Sequence, residues 1–184
     1  MGIRGLRLCI LLGGQRAQQV VSVRATHVDL EAETILLFDG KGRRATPRQH
    51  LLPLLPQALE EVRWLVSYAQ SVNSPYLLPG GKRGTTLNAA SISKEVLQIR
   101  HVWEAQSPHL EHFSFADFRR TIETKLASLG VSKDYRAQLQ SHGLSGVQDK
   151  HYDRHDYMRQ KRDVLELWEK YLSKLTGDQE SNAS

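Results

Sequence analysis

At 184 residues the chain fits one domain with a real core, and its one cysteine, Cys9, excludes an internal disulfide and any multi-cysteine metal site. Lysine and arginine outnumber aspartate and glutamate by 25 to 20, a net charge of +5 with a pI near 9.4, which favours an anionic partner. No apolar run approaches the roughly 20 residues needed to cross a bilayer, and the apolar start holds arginines without a cleavage site, so a soluble cytoplasmic protein with no membrane partner is expected.

The first dozen residues read as a buried helix with Ile3, Leu6 and Ile10 on its face, stopped by Gly13-Gly14. Arg16 follows that turn directly, and a short helical segment runs through Val20 and Val23. A core-type helix at residue 1 suggests that a preceding part of a longer parent protein is absent. Val28 to Leu30, Thr34 to Phe38 and Thr46 to Leu54 then read as three short strands with polar and glycine-containing turns between them. The second turn gathers Lys41, Arg43, Arg44 and Arg48 with no acid among them. Such a tip is either a solvated basic loop or an element that reaches a phosphate.

Pro56 opens a helix with Leu59, Val62, Leu65, Val66 and Ala69 at helical spacing. A loop rich in proline and glycine follows and carries a second basic tip, Lys82-Arg83. Asn88 or Ser91 caps the next helix, whose stripe of Ile92, Val96, Ile99 and Trp103 reads as core. Phe115, Phe118, Ile122, Leu126 and Leu129 form another helical face, which puts Arg119 on a flank with Glu123 as an alternative ion-pair partner one turn on. Ser132 caps a further helix, and the polar turn after Leu139 presents His142. A last helix runs to about Leu175 with a wide apolar surface, wide enough to dock on a neighbouring molecule as well as on its own core. The pattern is mostly helical α+β with a small three-stranded antiparallel sheet. Residues 1–176 form the domain, and 177–184 read as a disordered tail.

The reactive side chains concentrate between Phe115 and Tyr157, and tyrosine, arginine and histidine together suggest chemistry on a phosphate. With the residues placed, LLGGQRAQQVVSV, DGKGRR, FADFRRTIETKLASLGV, SHG and HYDRHDY occur in the order of the motifs of a tyrosine recombinase catalytic domain, the phage-integrase family, which the chain resembles over nearly its whole length. Arg119 and His142 are 23 residues apart (142 − 119). The resemblance implies a tyrosine-recombinase catalytic-domain-like fold, preceded in the parent by a DNA-clamping domain. It implies strand cleavage and rejoining through a 3′-phosphotyrosyl intermediate, with Arg16 and Arg119 clamping the phosphate, Lys41 as acid, His142 bonded to the phosphate and Tyr152 as nucleophile. Neither cofactor nor metal is implied. The resemblance also implies double-stranded DNA as the partner, with Arg43, Arg44, Arg48, Lys82 and Arg83 as further contacts, a homo-tetramer expected on DNA through the C-terminal helix, and a bacterial or phage-encoded gene.

The chain departs from the family pattern in three places. Gln19 stands where an acidic residue is usual. Ala116 stands where the family has a histidine, so one acid-base group is missing, and His151 beside Tyr152 is the candidate substitute. The step from His142 to Tyr152 is 10 residues (152 − 142), one longer than is commonest. Two other readings stay open: a catalytically weakened DNA-binding relative, favoured by Ala116, and a type IB topoisomerase-like nicking enzyme. A metal cluster around His151 and His155 is disfavoured because HYDRH lacks the glutamate base of the zinc-protease motif.

Overall fold

A computed structural model of the protein describes residues 1–40, 46–107, 109, 111–142 and 157–180, with the side chains of 178–180 excepted. In chain order, α1 spans Gly2–Leu11 and α2 Ala17–Val21, followed by a 3-10 turn at Ala25–His27. Strands β1 (Val28–Asp29), β2 (Thr34–Asp39) and β3 (Arg48–Pro53) lead into α3 (Pro56–Ser71) and α4 (Ala89–Gln106). Then come α5 (Phe115–Ser128), α6 (Lys133–Gln140) and α7 (Met158–Glu180). The architecture is the mostly helical α+β arrangement expected, with one antiparallel sheet in the order β1-β2-β3.

Helix α1 runs through the middle and touches α2, α3, α4 and α7. It buries Gly2, Gly5, Leu6, Leu8 and Cys9 rather than the Ile3 side of the helix; Ile3 is exposed and Ile10 only half-buried. The α4 stripe is likewise shorter than its periodicity suggests. Ile92 and Val96 are buried, while Trp103 is 52% exposed because α4 runs past its neighbours and leaves the indole against Phe113 at the rim of a groove. Leu129, just past α5, is exposed too. Helix α7 continues through Gly177 to Glu180, beyond the stop expected near Leu175.

Three local devices set the ends that matter. Ser114 and Asp117 close the start of α5, the Asp117 carboxylate accepting from the Ser114 backbone N–H at 2.8 Å and from its hydroxyl at 2.7 Å. Ser132 caps α6 by accepting from the Tyr135 N–H. Gly13 and Gly14 turn the chain between α1 and α2 at φ +77° and +85°, where a Cβ on Gly13 would sit 2.6 Å from the Leu139 Cδ2. A side chain there would be strained twice over, by backbone conformation and by collision with α6.

The sheet carries polarity inward toward its open end. β2 alternates with Ile35, Leu37 and Asp39 buried, as period-two geometry demands. The register sets Leu52 opposite Ile35, His50 opposite Leu37 and Arg48 opposite Asp39. One face of the ladder thus passes from aliphatic to charged over three steps.

Candidate active site

The C-terminus of α6 is where distant parts of the chain meet. The last carbonyls of a helix lack intrahelical donors, so something outside must satisfy them. Here Leu139 O accepts from Gln15 Nε2 at 2.9 Å and lies 2.9 Å from His50 Nε2; Gln140 O accepts from Arg119 at 2.6 Å. Arg119 also donates to Gly14 O at 2.8 Å, and Gln140 Nε2 reaches Gly13 O at 3.2 Å. The guanidinium therefore bridges α5, the glycine turn and the end of α6. It uses two of its five N–H donors to do so. A cation at a helix C-terminus is also favoured by the helix dipole.

The two carbonyls that Arg119 bonds each lie two residues before another group of interest: Gly14 precedes Arg16 by two positions, and Gln140 precedes His142 by two. Burial, and then the nearby positive charge of Arg16, lower its pKa to about 10, so it remains a cation at neutral pH. The alternative pairing with Glu123 does not form. Glu123 accepts instead from Arg136 at 2.9 Å, and Arg120 is the surface arginine, paired with Asp117.

Arg16 caps the start of α2. Its backbone N–H donates to Gln19 Oε1 at 3.3 Å, and its guanidinium donates to Asp39 Oδ1 at 3.3 Å. The other Asp39 oxygen accepts from Ser141 Oγ at 2.9 Å. Ser141 is buried in the left-handed conformation (φ 49°, ψ 49°), which turns the chain so that His142 emerges exposed while its backbone N–H bonds Ala137 O.

His50 lies beneath this arrangement and has no signal in periodicity, because a histidine on a strand reads as polar. Burial and then the positive charge of Lys161 push its pKa down to about 3, so it is neutral, with the Nε2–H donating to Leu139 O. Lys161, on α7, in turn donates to Leu51 O at 2.9 Å, tying the last helix to β3. The folded pKa is depressed below the unfolded histidine value. Between about pH 6.5 and 3 the unfolded chain binds a proton that the folded one refuses, so stability falls as pH falls through that window. Going from pH 7 to pH 5 costs about 2 kcal/mol from this group. His50→Gln keeps a donor for Leu139 O, and its stability difference between pH 7 and 5 in urea unfolding is expected to be smaller by about that amount; an unchanged difference would show that His50 is not held neutral.

Of the residues singled out from the sequence, Arg16, Arg119 and His142 are brought together through Gly14, Gln140, Ser141 and Asp39. Arg48 begins β3 opposite Asp39, at the edge of the same region. Lys82 and Arg83 stand exposed on a separate hairpin turn closed by the Pro79–Thr86 bridge. Lys41, Arg43, Arg44, His151 and Tyr152, with the His151–His155 pair, lie outside the described residues. Asp39, His50, Gln15, Gln140 and Ser141 were missed by motif reasoning. For Asp39 a signal existed: a carboxylate at an inward position of β2.

No protein-family model matches the chain. Prophage integrase IntF of Escherichia coli K12 is 28% identical over 164 residues, which are 86% of this chain and 32% of IntF. Among solved structures, the integrase from mycobacterium phage Brujita superposes with a TM-score of 0.59 at 21% identity, covering 89% of this chain and 51% of that one. XerA recombinase does so with a TM-score of 0.57 at 14% identity, covering 77% and 52%. The chain thus spans about a third of its curated relative and about half of each solved chain. The fold is that of a tyrosine recombinase catalytic domain. In sequence the chain is similar to prophage integrase IntF, which agrees with that fold.

Proposed function

We propose that this chain is the catalytic domain of a site-specific DNA recombinase or integrase that cleaves and rejoins strands through a 3′-phosphotyrosyl intermediate. The observation that carries this reading is the convergence of Arg16, Arg119 and His142 around the C-terminus of α6. Two guanidinium groups and an exposed imidazole from three separate stretches suit a phosphate whose non-bridging oxygens gain charge in the transition state. The names of the relatives, two integrases and a recombinase, support the same class.

In this reading the Tyr152 hydroxyl gives its proton to His151 as its oxygen attacks the phosphorus, the bond from phosphorus to the 5′ oxygen breaks, and Lys41 gives that oxygen its proton. Arg16 and Arg119 hold the phosphate, and His142 donates a hydrogen bond to it. The phosphotyrosyl bond then conserves the energy needed for religation. Arg43, Arg44, Arg48, Lys82 and Arg83 serve as backbone contacts on double-stranded DNA, in a cytoplasmic protein of a bacterium or phage. Among the described residues no helix is long and apolar enough to cross a membrane. Trp168, Tyr171, Leu172 and Leu175 of α7 line an apolar groove of about 350 Å³ with Trp103 and Phe118, which supports assembly on DNA through the C-terminal helix.

A second reading, a DNA-binding relative that does not cleave, is favoured by Ala116. It is exposed in the first turn of α5, three residues before Arg119, and can move no proton. A nicked suicide duplex decides between the two. Covalent protein–DNA adduct attached within the peptide bearing Tyr152 is expected; tight binding with no adduct at any enzyme concentration would favour the second reading.

A further inference from the structure

Asp39 is a buried carboxylate, 5% exposed, that the cleavage scheme above does not use. It bonds Arg16 with one oxygen, at 3.3 Å, and the Ser141 hydroxyl with the other, at 2.9 Å. Taking a carboxylate out of water costs several kcal/mol unless its lone pairs are satisfied, so a chain that retains one at the inward end of a strand must gain something there. What it gains is a link between sequence-distant elements. Arg16 lies on the glycine turn, Ser141 precedes His142, and Asp39 itself ends β2 two residues before Lys41. We propose that Asp39 is a positioning residue for strand cleavage, holding the Arg16 guanidinium in register with the histidine turn before DNA arrives; this rests on the catalytic reading given under Proposed function.

Two features of the site require such a group. The positive charge of Arg16 disfavours that of Arg119 and the Asp39 carboxylate favours it, so the anion offsets part of the repulsion between the two arginines. The residue one turn beyond Arg16 on its own helix is neutral: Gln19 spends its oxygen on the Arg16 backbone N–H. The counter-charge is therefore supplied from the sheet. A carboxylate near a phosphate also repels it, so Asp39 weakens ground-state binding while improving the geometry that acts in the transition state.

Asp39→Asn keeps the shape and an acceptor for Ser141 Oγ but removes the charge. In single-turnover cleavage of the nicked suicide duplex at saturating protein, its rate is expected to fall about 10- to 100-fold. Its DNA affinity is expected to hold or rise, by up to about threefold. Asp39→Glu, with the charge retained, is expected to cleave at least about threefold faster than Asp39→Asn, a rescue that a space-filling role would not produce. Ser141→Ala removes the hydroxyl that the other oxygen accepts from and is expected to slow cleavage about three- to fivefold at unchanged affinity, and it decides the matter if Asp39→Asn does not fold. A wild-type rate in Asp39→Asn, or in Ser141→Ala where the former is unfolded, overturns the proposal. So does a parallel loss of rate, affinity and Tm, which marks a purely structural acid. A wild-type protein that binds but forms no adduct defeats the catalytic reading itself, and the positioning role falls with it.

Discussion

Tyr152→Phe is expected to reduce covalent adduct formation on a nicked duplex by on the order of 10⁶-fold, the scale on which covalent catalysts lose activity when stripped of their nucleophile, equivalent to about 8 kcal/mol of barrier. Phenylalanine fills the same space, so DNA affinity measured by gel shift should change by less than about threefold. The discriminating control is Tyr157, five residues on (157 − 152). It is held at the start of α7 in a left-handed backbone conformation (φ 54°), with its carbonyl accepting from Lys161 N–H at 2.8 Å. A residue so engaged in launching a helix suits a structural role, and Tyr157→Phe should retain the adduct. If the adduct survives in Tyr152→Phe and disappears in Tyr157→Phe, the nucleophile has been misassigned.

The fold was largely legible because its signals are local. Glycine pairs, Pro56 and Ser132 mark ends of elements, and alternating apolar residues in TILLF announce a strand whichever way it later packs. The apolar faces were less legible at Ile3, Trp103 and Leu129, all exposed, because periodicity reports that a stripe exists but not how far a neighbouring element covers it. The site divides along the same line. Arg16, Arg119 and His142 could be picked out because each follows or flanks a recognisable turn or helix. Gln15, His50 and Gln140 could not, since a buried amide or imidazole that satisfies a helix's last carbonyls looks in sequence like any surface residue. Their partner is the backbone, and backbone acceptors have no sequence signature. Asp39 lies between the two cases: strand alternation places it inward, but only the meeting with Arg16 and Ser141 says why it is there.

Arg119→Lys should damage chemistry and fold by separable amounts, and the difference follows from shape rather than charge. Lysine keeps the positive charge but offers one compact ammonium in place of a planar fork, so it cannot span Gly14 O and Gln140 O while also holding a phosphate oxygen. One buried carbonyl loses its donor, at about 1–3 kcal/mol, which for a domain of this size lowers Tm by about 2–12 °C. Cleavage loses more. With the arginine gone from a charge-developing centre, a fall of about 10³- to 10⁵-fold is expected in single turnover, measured well below the lowered Tm so that unfolding does not enter. The glycine turn and the α6 terminus would also loosen relative to one another, which Arg119→Lys should report as faster amide hydrogen exchange at the Gly13–Arg16 and Ser141–His142 backbone. Exchange unchanged at both places, with cleavage lost, would leave Arg119 as a phosphate ligand alone; exchange accelerated with cleavage intact would make it a structural bridge and remove it from the clamp.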